Sequence, residues 1–114
     1  MNSLCYWEIP ATDVKCSADF YARLFGWKMS ESGENYIMFD VEGGIGGGIY
    51  KVAKMPEPAI DVYIKVADIP ATLKRVEELG GKVEKPKTEI GNEFGYYALF
   101  RDPCGCRIGI WAKE

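Results

Sequence analysis

The chain has 114 residues, 47% of them apolar and 27% charged, with three Trp, seven Tyr and five Phe. That composition excludes a disordered or low-complexity polypeptide, and a domain of this length buries roughly two-thirds of its unfolded surface without a disulfide or metal staple. Fourteen basic against seventeen acidic residues give a net charge of −3 with no basic block, which argues against nucleic acid as a partner, and there is no histidine at all, so the commonest metal ligand and usual general base are missing.

In chain order, Leu4 to Ile9 is an apolar and aromatic run of strand length. A helix follows: Asp13 is its N-cap, Val14, Ala18, Tyr21 and Phe25 fall at helical spacing, and Gly26 stops it. Strands are expected over Trp27 to Met29, over Tyr36 to Val41 and in a glycine-rich segment running to Val52. Segment 53–59, with Pro56 and Pro58, suits an extended linker.

The plan then repeats. Ile60 to Val66 is a second strand; Asp68 caps a second helix, with Pro70 in its first turn, a stripe of Ile69, Leu73, Val76 and Leu79, and Gly80-Gly81 at its end. Lys82 to Glu84, Tyr96 to Phe100 and Arg107 to Trp111 complete it. Tyr6 stands seven residues before Asp13, and Asp61 seven before Asp68, so both strands enter their helices in the same register. Residues 1–52 and 60–114 thus read as two βαβββ modules of one α+β domain spanning 1–114.

Alternation sorts each strand into faces. Cys5, Trp7 and Ile9 form one packing set, Val62, Ile64 and Val66 a second, and Ile108, Ile110 and Ala112 a third. The opposite faces carry Tyr6 and Glu8, then Asp61, Tyr63 and Lys65, then Arg107, Gly109 and Trp111. Such a face meets solvent, a partner or a ligand cavity.

The glycine run GGIGGG at 43–48 lacks a following GK[ST] and is flanked by strands, so it does not read as a phosphate cradle; close backbone approach in a curved strand, a bulge or a mobile cavity edge fits it better. Cysteines 5, 16, 104 and 106 match neither a disulfide lattice nor a zinc spacing and read as inert reduced thiols. The opening MNSLCYWEIP has no export-signal pattern, and no run approaches the roughly 18 apolar residues of a membrane span. A cytoplasmic location and no membrane association are expected.

The stretches WEIPATDVKCSADFYARLFGW, VADIPATLKRVEELGGKV and FRDPCGCRIGIW resemble the vicinal oxygen chelate superfamily, which comprises the glyoxalase, bleomycin-resistance and extradiol-dioxygenase proteins. The resemblance spans nearly the whole chain and implies curved mixed sheets around a cavity, often completed across a homodimer. In metal-dependent members a divalent ion is held by one ligand on the first strand of each module and one on the last, usually His and Glu. Carried onto this chain those positions are Tyr6, about Gly48, Asp61 and Gly109. Two glycines offer no donor and a neutral phenol is a poor one, so only Asp61 remains, with Glu8 as a second carboxylate if it reaches. No metal cofactor is expected, and a divalent ion there would be weakly held.

The leading expectation is therefore a metal-independent protein that binds a small organic ligand in an aromatic and charged cavity. Tyr6, Glu8, Asp61, Tyr63, Lys65, Arg107 and Trp111 are the candidate binding residues, the rings packing on the ligand and the charges orienting it. The alternative is a lyase or isomerase of lactoylglutathione-lyase type, with Glu8 or Asp61 as the catalytic base or a residual metal site; without a metal, only Arg107 or Lys65 is at hand to stabilise an enediolate. A third class, an interaction domain whose polar face is a dimer surface, conflicts with the depletion of charge at interface cores. Plainer roles stand beside each: Tyr6 as a wall aromatic, Glu8 and Asp61 as partners of Lys65 and Arg107, Trp111 as a lid on the core.

Overall fold

Asp13 and Asp68 start the two helices in the same way. Each has an extended backbone and a carboxylate that accepts a hydrogen bond from the amide three residues on, Cys16 at 3.1 Å and Ala71 at 2.9 Å. A computed structural model describes residues 2–114. The elements are β1 (Trp7–Ala11), α1 (Val14–Phe25), β2 (Lys28–Glu31), β3 (Tyr36–Asp40), β4 (Gly47–Lys51), β5 (Tyr63–Lys65), α2 (Ile69–Glu78), β6 (Lys82–Glu89), β7 (Tyr96–Arg101) and β8 (Arg107–Ala112). Helix α1 ends at Gly26 in the left-handed region, and after α2 Gly80 takes φ +94° while the Gly81 amide closes on the Val76 carbonyl.

The chain divides into two compact units, Met1–Pro56 and Glu57–Glu114. Each carries a four-stranded mixed sheet, ordered β1-β4-β3-β2 in the first and β5-β8-β7-β6 in the second. In both, the strand before the helix pairs in parallel with the last strand, and the remaining pairs are antiparallel. The fold class is the α+β repeat that the sequence predicts.

Within the first unit α1 packs on one face of the sheet and buries Val14, Ala18, Phe20 and Tyr21 with Ile9, Ile37, Phe39 and Ile49. Trp27 lies 4.7 Å from Phe39 and 5.4 Å from Tyr21, both stacked, so this core is largely aromatic. The second unit buries Ile69, Leu73 and Val76 against Ala98, Phe100, Ile108 and Ile110. Burying one such large side chain contributes about 1.5–3 kcal/mol, which is what holds each helix to its sheet. Buried Asp102 accepts from the Cys104 and Cys106 amides at 2.9 and 3.0 Å and so shapes the DPCGC turn between β7 and β8.

Several boundaries differ from expectation. Strand β1 begins at Trp7, the first residue with a β4 partner (Gly47), so Cys5 lies outside the strand and is exposed rather than packed. For the same reason β5 keeps only Tyr63–Lys65, which face Gly109 to Trp111, and Ile60 is 83% exposed. Strand β2 starts after Trp27, whose ring belongs to the core. Strand β6 runs on to Glu89 through Pro86, which an edge strand with irregular register tolerates. In α1, Ser17 and Phe20 join the buried set, and Phe25 is only half-buried. Among the described residues no helix is long and apolar enough to cross a membrane.

Candidate ligand-binding site

Alternation along β1, β3 and β4 leaves Tyr6, Glu8, Tyr36, Met38 and Gly48 on the face of the first sheet away from α1. Glu8 is the cross-strand partner of Gly48. The Tyr36 phenol lies over Gly48 so closely that a β-carbon there would overlap its ring and hydroxyl. Tyr36 donates to Glu8 Oε2 at 2.7 Å, and its oxygen lies 2.6 Å from that of Tyr6. Since the one Tyr36 proton goes to the carboxylate, Tyr6 donates to Tyr36 in turn. Burial, then the bonds to Tyr6 and Glu8, push the Tyr36 pKa above the ordinary phenol value, so this group is a neutral phenol at physiological pH.

On the second unit Asp61, Tyr63, Lys65, Arg107 and Trp111 share the face away from α2, and they separate into two clusters. The first is a row of alternating charge. Arg107 meets Asp61 at 2.8 Å and Glu84 at 3.4 Å, and Glu84 accepts from Arg101 at 2.6 Å. The hydrogen bond from Arg101 holds the Glu84 carboxyl below the usual carboxylate range, and the bond to Asp61 raises the Arg107 pKa. Asp61 is thus paired with Arg107, the plainer of its two expected roles.

The second cluster is a cavity of about 340 Å³ lined by Tyr63, Ile90, Tyr97 and Trp111. A β-carbon on Gly109 would lie 2.5 Å from the Tyr63 ring, so the missing side chain lets that ring lie flat on its strand partner. Tyr97 meets Tyr63 edge-on with centroids 6.1 Å apart. The Trp111 indole N–H donates to the Phe94 carbonyl at 2.8 Å, which fixes its ring. Lys65 stands 5.9 Å from the Trp111 centroid and Lys85 5.7 Å from that of Tyr97. A depression of about 500 Å³ beside α1 and β2 is wider, but it is lined by Lys15, Asp19, Glu31 and small or aliphatic residues, with no ring to grip a ligand.

Tyr36, Glu84, Lys85, Ile90, Tyr97 and Arg101 were not among the predicted residues. Tyr36 and Tyr97 were within reach: they face Tyr50 and Trp111 in equivalent registers, so the alternation used for the first and last strands of each module places them on the same faces. Glu84 and Lys85 were hidden by the irregular pairing of β6.

The family resemblance assigns metal ligation to Tyr6, Gly48, Asp61 and Gly109. Tyr6 is bonded to Tyr36 and Asp61 to Arg107, while the side-chain space above the two glycines is taken by Tyr36 and Tyr63. This donor set does not fit a divalent ion.

Residues 4–110 match the family model of the Glyoxalase/Bleomycin resistance protein/Dioxygenase superfamily. A glyoxylase-like domain-containing protein of Didymella fabae is 34% identical over 107 residues, covering 86% of this chain and 84% of its own. The anthracycline biosynthesis protein DnrV of Streptomyces peucetius is 33% identical over 128 residues, and there the match covers 95% of this chain but 46% of the relative, so the chain spans under half of that protein. Among solved structures, a glyoxalase/bleomycin resistance protein/dioxygenase family enzyme from Burkholderia phytofirmans PsJN has the same fold, with a TM-score of 0.81, 16% identity and 96% and 97% of the two chains covered. With the repeated module, the capped helices and the family match over nearly its full length, this chain belongs to the glyoxalase/bleomycin resistance/dioxygenase superfamily.

Proposed function

We propose that the chain is a metal-independent small-molecule-binding protein of the glyoxalase/bleomycin-resistance type. One observation carries this reading: at Gly48 and Gly109, on or about which the family resemblance puts a metal ligand, a tyrosine ring fills the space, Tyr36 over Gly48 and Tyr63 over Gly109. Replacing donors by rings trades an ion site for an apolar, stacking surface. In this reading Tyr63 and Trp111 pack on the ligand, Lys65 orients it and the Asp61–Arg107 pair holds the edge of the site, while Tyr6 and Glu8 form a polar group of their own on the first unit. Titration with nickel, cobalt, zinc and manganese tests it. No uptake is expected, and stoichiometric binding tighter than about micromolar, roughly −8 kcal/mol, overturns it.

A second reading has a specific observation in its favour. Among the described residues Glu8 is held by the Tyr36 phenol rather than by a cation, which leaves its carboxylate available as a base for a proton next to a carbonyl. A lyase or isomerase of lactoylglutathione-lyase type on this basis loses turnover of an α-keto hemithioacetal in Glu8→Gln and keeps it in Asp61→Asn. Equal activity of Glu8→Gln and the parent chain removes it.

The same proposal includes self-association as a homodimer, supported by the exposure of Leu4 at 63%, Ile60 at 83% and Phe94 at 62%. Sedimentation at micromolar concentration checks it. Residence in the cytoplasm is the accompanying proposal, supported by a cysteine spacing that matches no disulfide lattice, and fractionation of cells producing the chain tests it.

A further inference from the structure

We infer that the cavity lined by Tyr63, Ile90, Tyr97 and Trp111 takes a planar anion, an aromatic ring system of one or two fused rings that carries a carboxylate or a comparably acidic group. This rests on the small-molecule reading above and narrows it.

The walls set the shape. Trp111 has already given its N–H to the Phe94 carbonyl, so what it presents is its π face, and Tyr63 lies flat because Gly109 has no side chain. At about 340 Å³ the cavity is near the lower end of the roughly 300–1,000 Å³ usual for small-molecule sites, which suits a compact flat molecule better than a large polycycle.

The charges set the sign. Lys65 on β5 and Lys85 on β6 stand over the Trp111 and Tyr97 rings, and neither pairs with a carboxylate among the described residues. Two acids on this side of the sheet, Asp61 and Glu84, are engaged by Arg107 and Arg101. Four cations, Lys65, Lys85, Arg101 and Arg107, therefore stand against two anions on this face of a chain whose net charge is −3. An organic cation would meet two ammonium groups and find the ring faces it needs already occupied. An acidic group on a flat ligand instead draws each ammonium off its ring into an ion pair, which frees the face for stacking.

Three isosteric probes, 2-naphthoate, 2-naphthalenemethanol and 2-naphthylmethylammonium, titrated into the full chain at pH 7 by calorimetry, test the inference. Two ammonium groups at about 6 Å, each worth some threefold in water, predict that naphthoate binds roughly tenfold more tightly than the alcohol, with the cation weakest. Lys65→Met and Lys85→Met each narrow the ratio of naphthoate to alcohol affinity about threefold, Lys74→Met on α2 leaves that ratio as it is, and 0.5 M salt removes most of the difference. Equal affinity for anion and alcohol, or indifference to both lysine variants, overturns the anion and leaves the small-molecule reading standing. Failure of all three probes at millimolar concentration overturns the pocket reading with it.

Discussion

The phenol of Tyr36 stands where a side chain on Gly48 would have to go, and the ring of Tyr63 stands in the same relation to Gly109. Since Glu8 and Tyr63 are the cross-strand partners of those two glycines, both modules use the same lattice position for a ring-over-glycine contact, reached in one from β3 and in the other from β5.

Gly48→Ala is expected to cost about 1–3 kcal/mol by overpacking, read from urea denaturation. In a Tyr36→Ala background most of that cost vanishes, because the obstacle is the phenol, and the two changes couple by about 1 kcal/mol or more. Gly47→Ala behaves differently: there a β-carbon would overlap the Trp7 carbonyl oxygen, a backbone atom of β1, and no side-chain change relieves it. A Gly48→Ala penalty that persists without Tyr36 would show that the ring is not what the glycine accommodates.

Glu84 predicts a contribution to acid stability with a defined sign. Its folded pKa lies below the ordinary value of 4.5, chiefly through the Arg101 hydrogen bond, so its stabilisation is complete above that value and is lost as pH falls through the folded pKa. The pair is about one-third exposed, with side chains at 30% and 32%, which limits Glu84→Gln to roughly 1 kcal/mol or less at pH 7. The gap between Glu84→Gln and the parent chain closes as pH drops below 4.5, measured by chemical denaturation across pH. A gap that widens in acid would contradict the pairing.

The thiols separate by environment. Burial, aided by the Asp102 carboxylate, pushes Cys106 up to about 12, while Cys5 and Cys16 are exposed. Maleimide at pH 7.5 followed by peptide mapping is expected to modify Cys5 and Cys16 first and the half-buried Cys106 much more slowly. Labelling of Cys106 as fast as Cys5 would mean that the turn after Arg101 opens in the native state.

What the sequence makes legible is local or repeated. Asp13 and Asp68 announce their helices because a capping carboxylate acts within three residues, and Tyr63 shares a face with Lys65, as Gly109 does with Trp111, because a strand alternates whatever it pairs with. The start of β1 at Trp7 depends on where β4 begins, and the shortness of β5 on its pairing with only Gly109 to Trp111 of β8, both of which are properties of distant partners. The Tyr36 contact over Gly48 depends on the register between β3 and β4, and the passage of β6 through Pro86 on its being an edge. Periodicity along one strand carries neither.

Trp111 serves both the fold and the proposed binding cavity, and the two contributions are separable. Its N–H secures the Phe94 carbonyl in the loop after β6, where Asn92 and Glu93 take φ of 52° and 61°. Its face lines the cavity. Trp111→Phe keeps an aromatic face and removes the donor, so it is expected to cost roughly 0.5–1.5 kcal/mol of stability and to speed amide exchange over residues 90–95, while naphthoate affinity falls by less than about threefold. Trp111→Ala removes the face as well and is expected to weaken naphthoate tenfold or more, on the scale of one lost stacking contact. Equal loss of affinity in the two variants, with exchange unchanged in Trp111→Phe, would assign the ligand contact to the indole N–H and detach it from the loop.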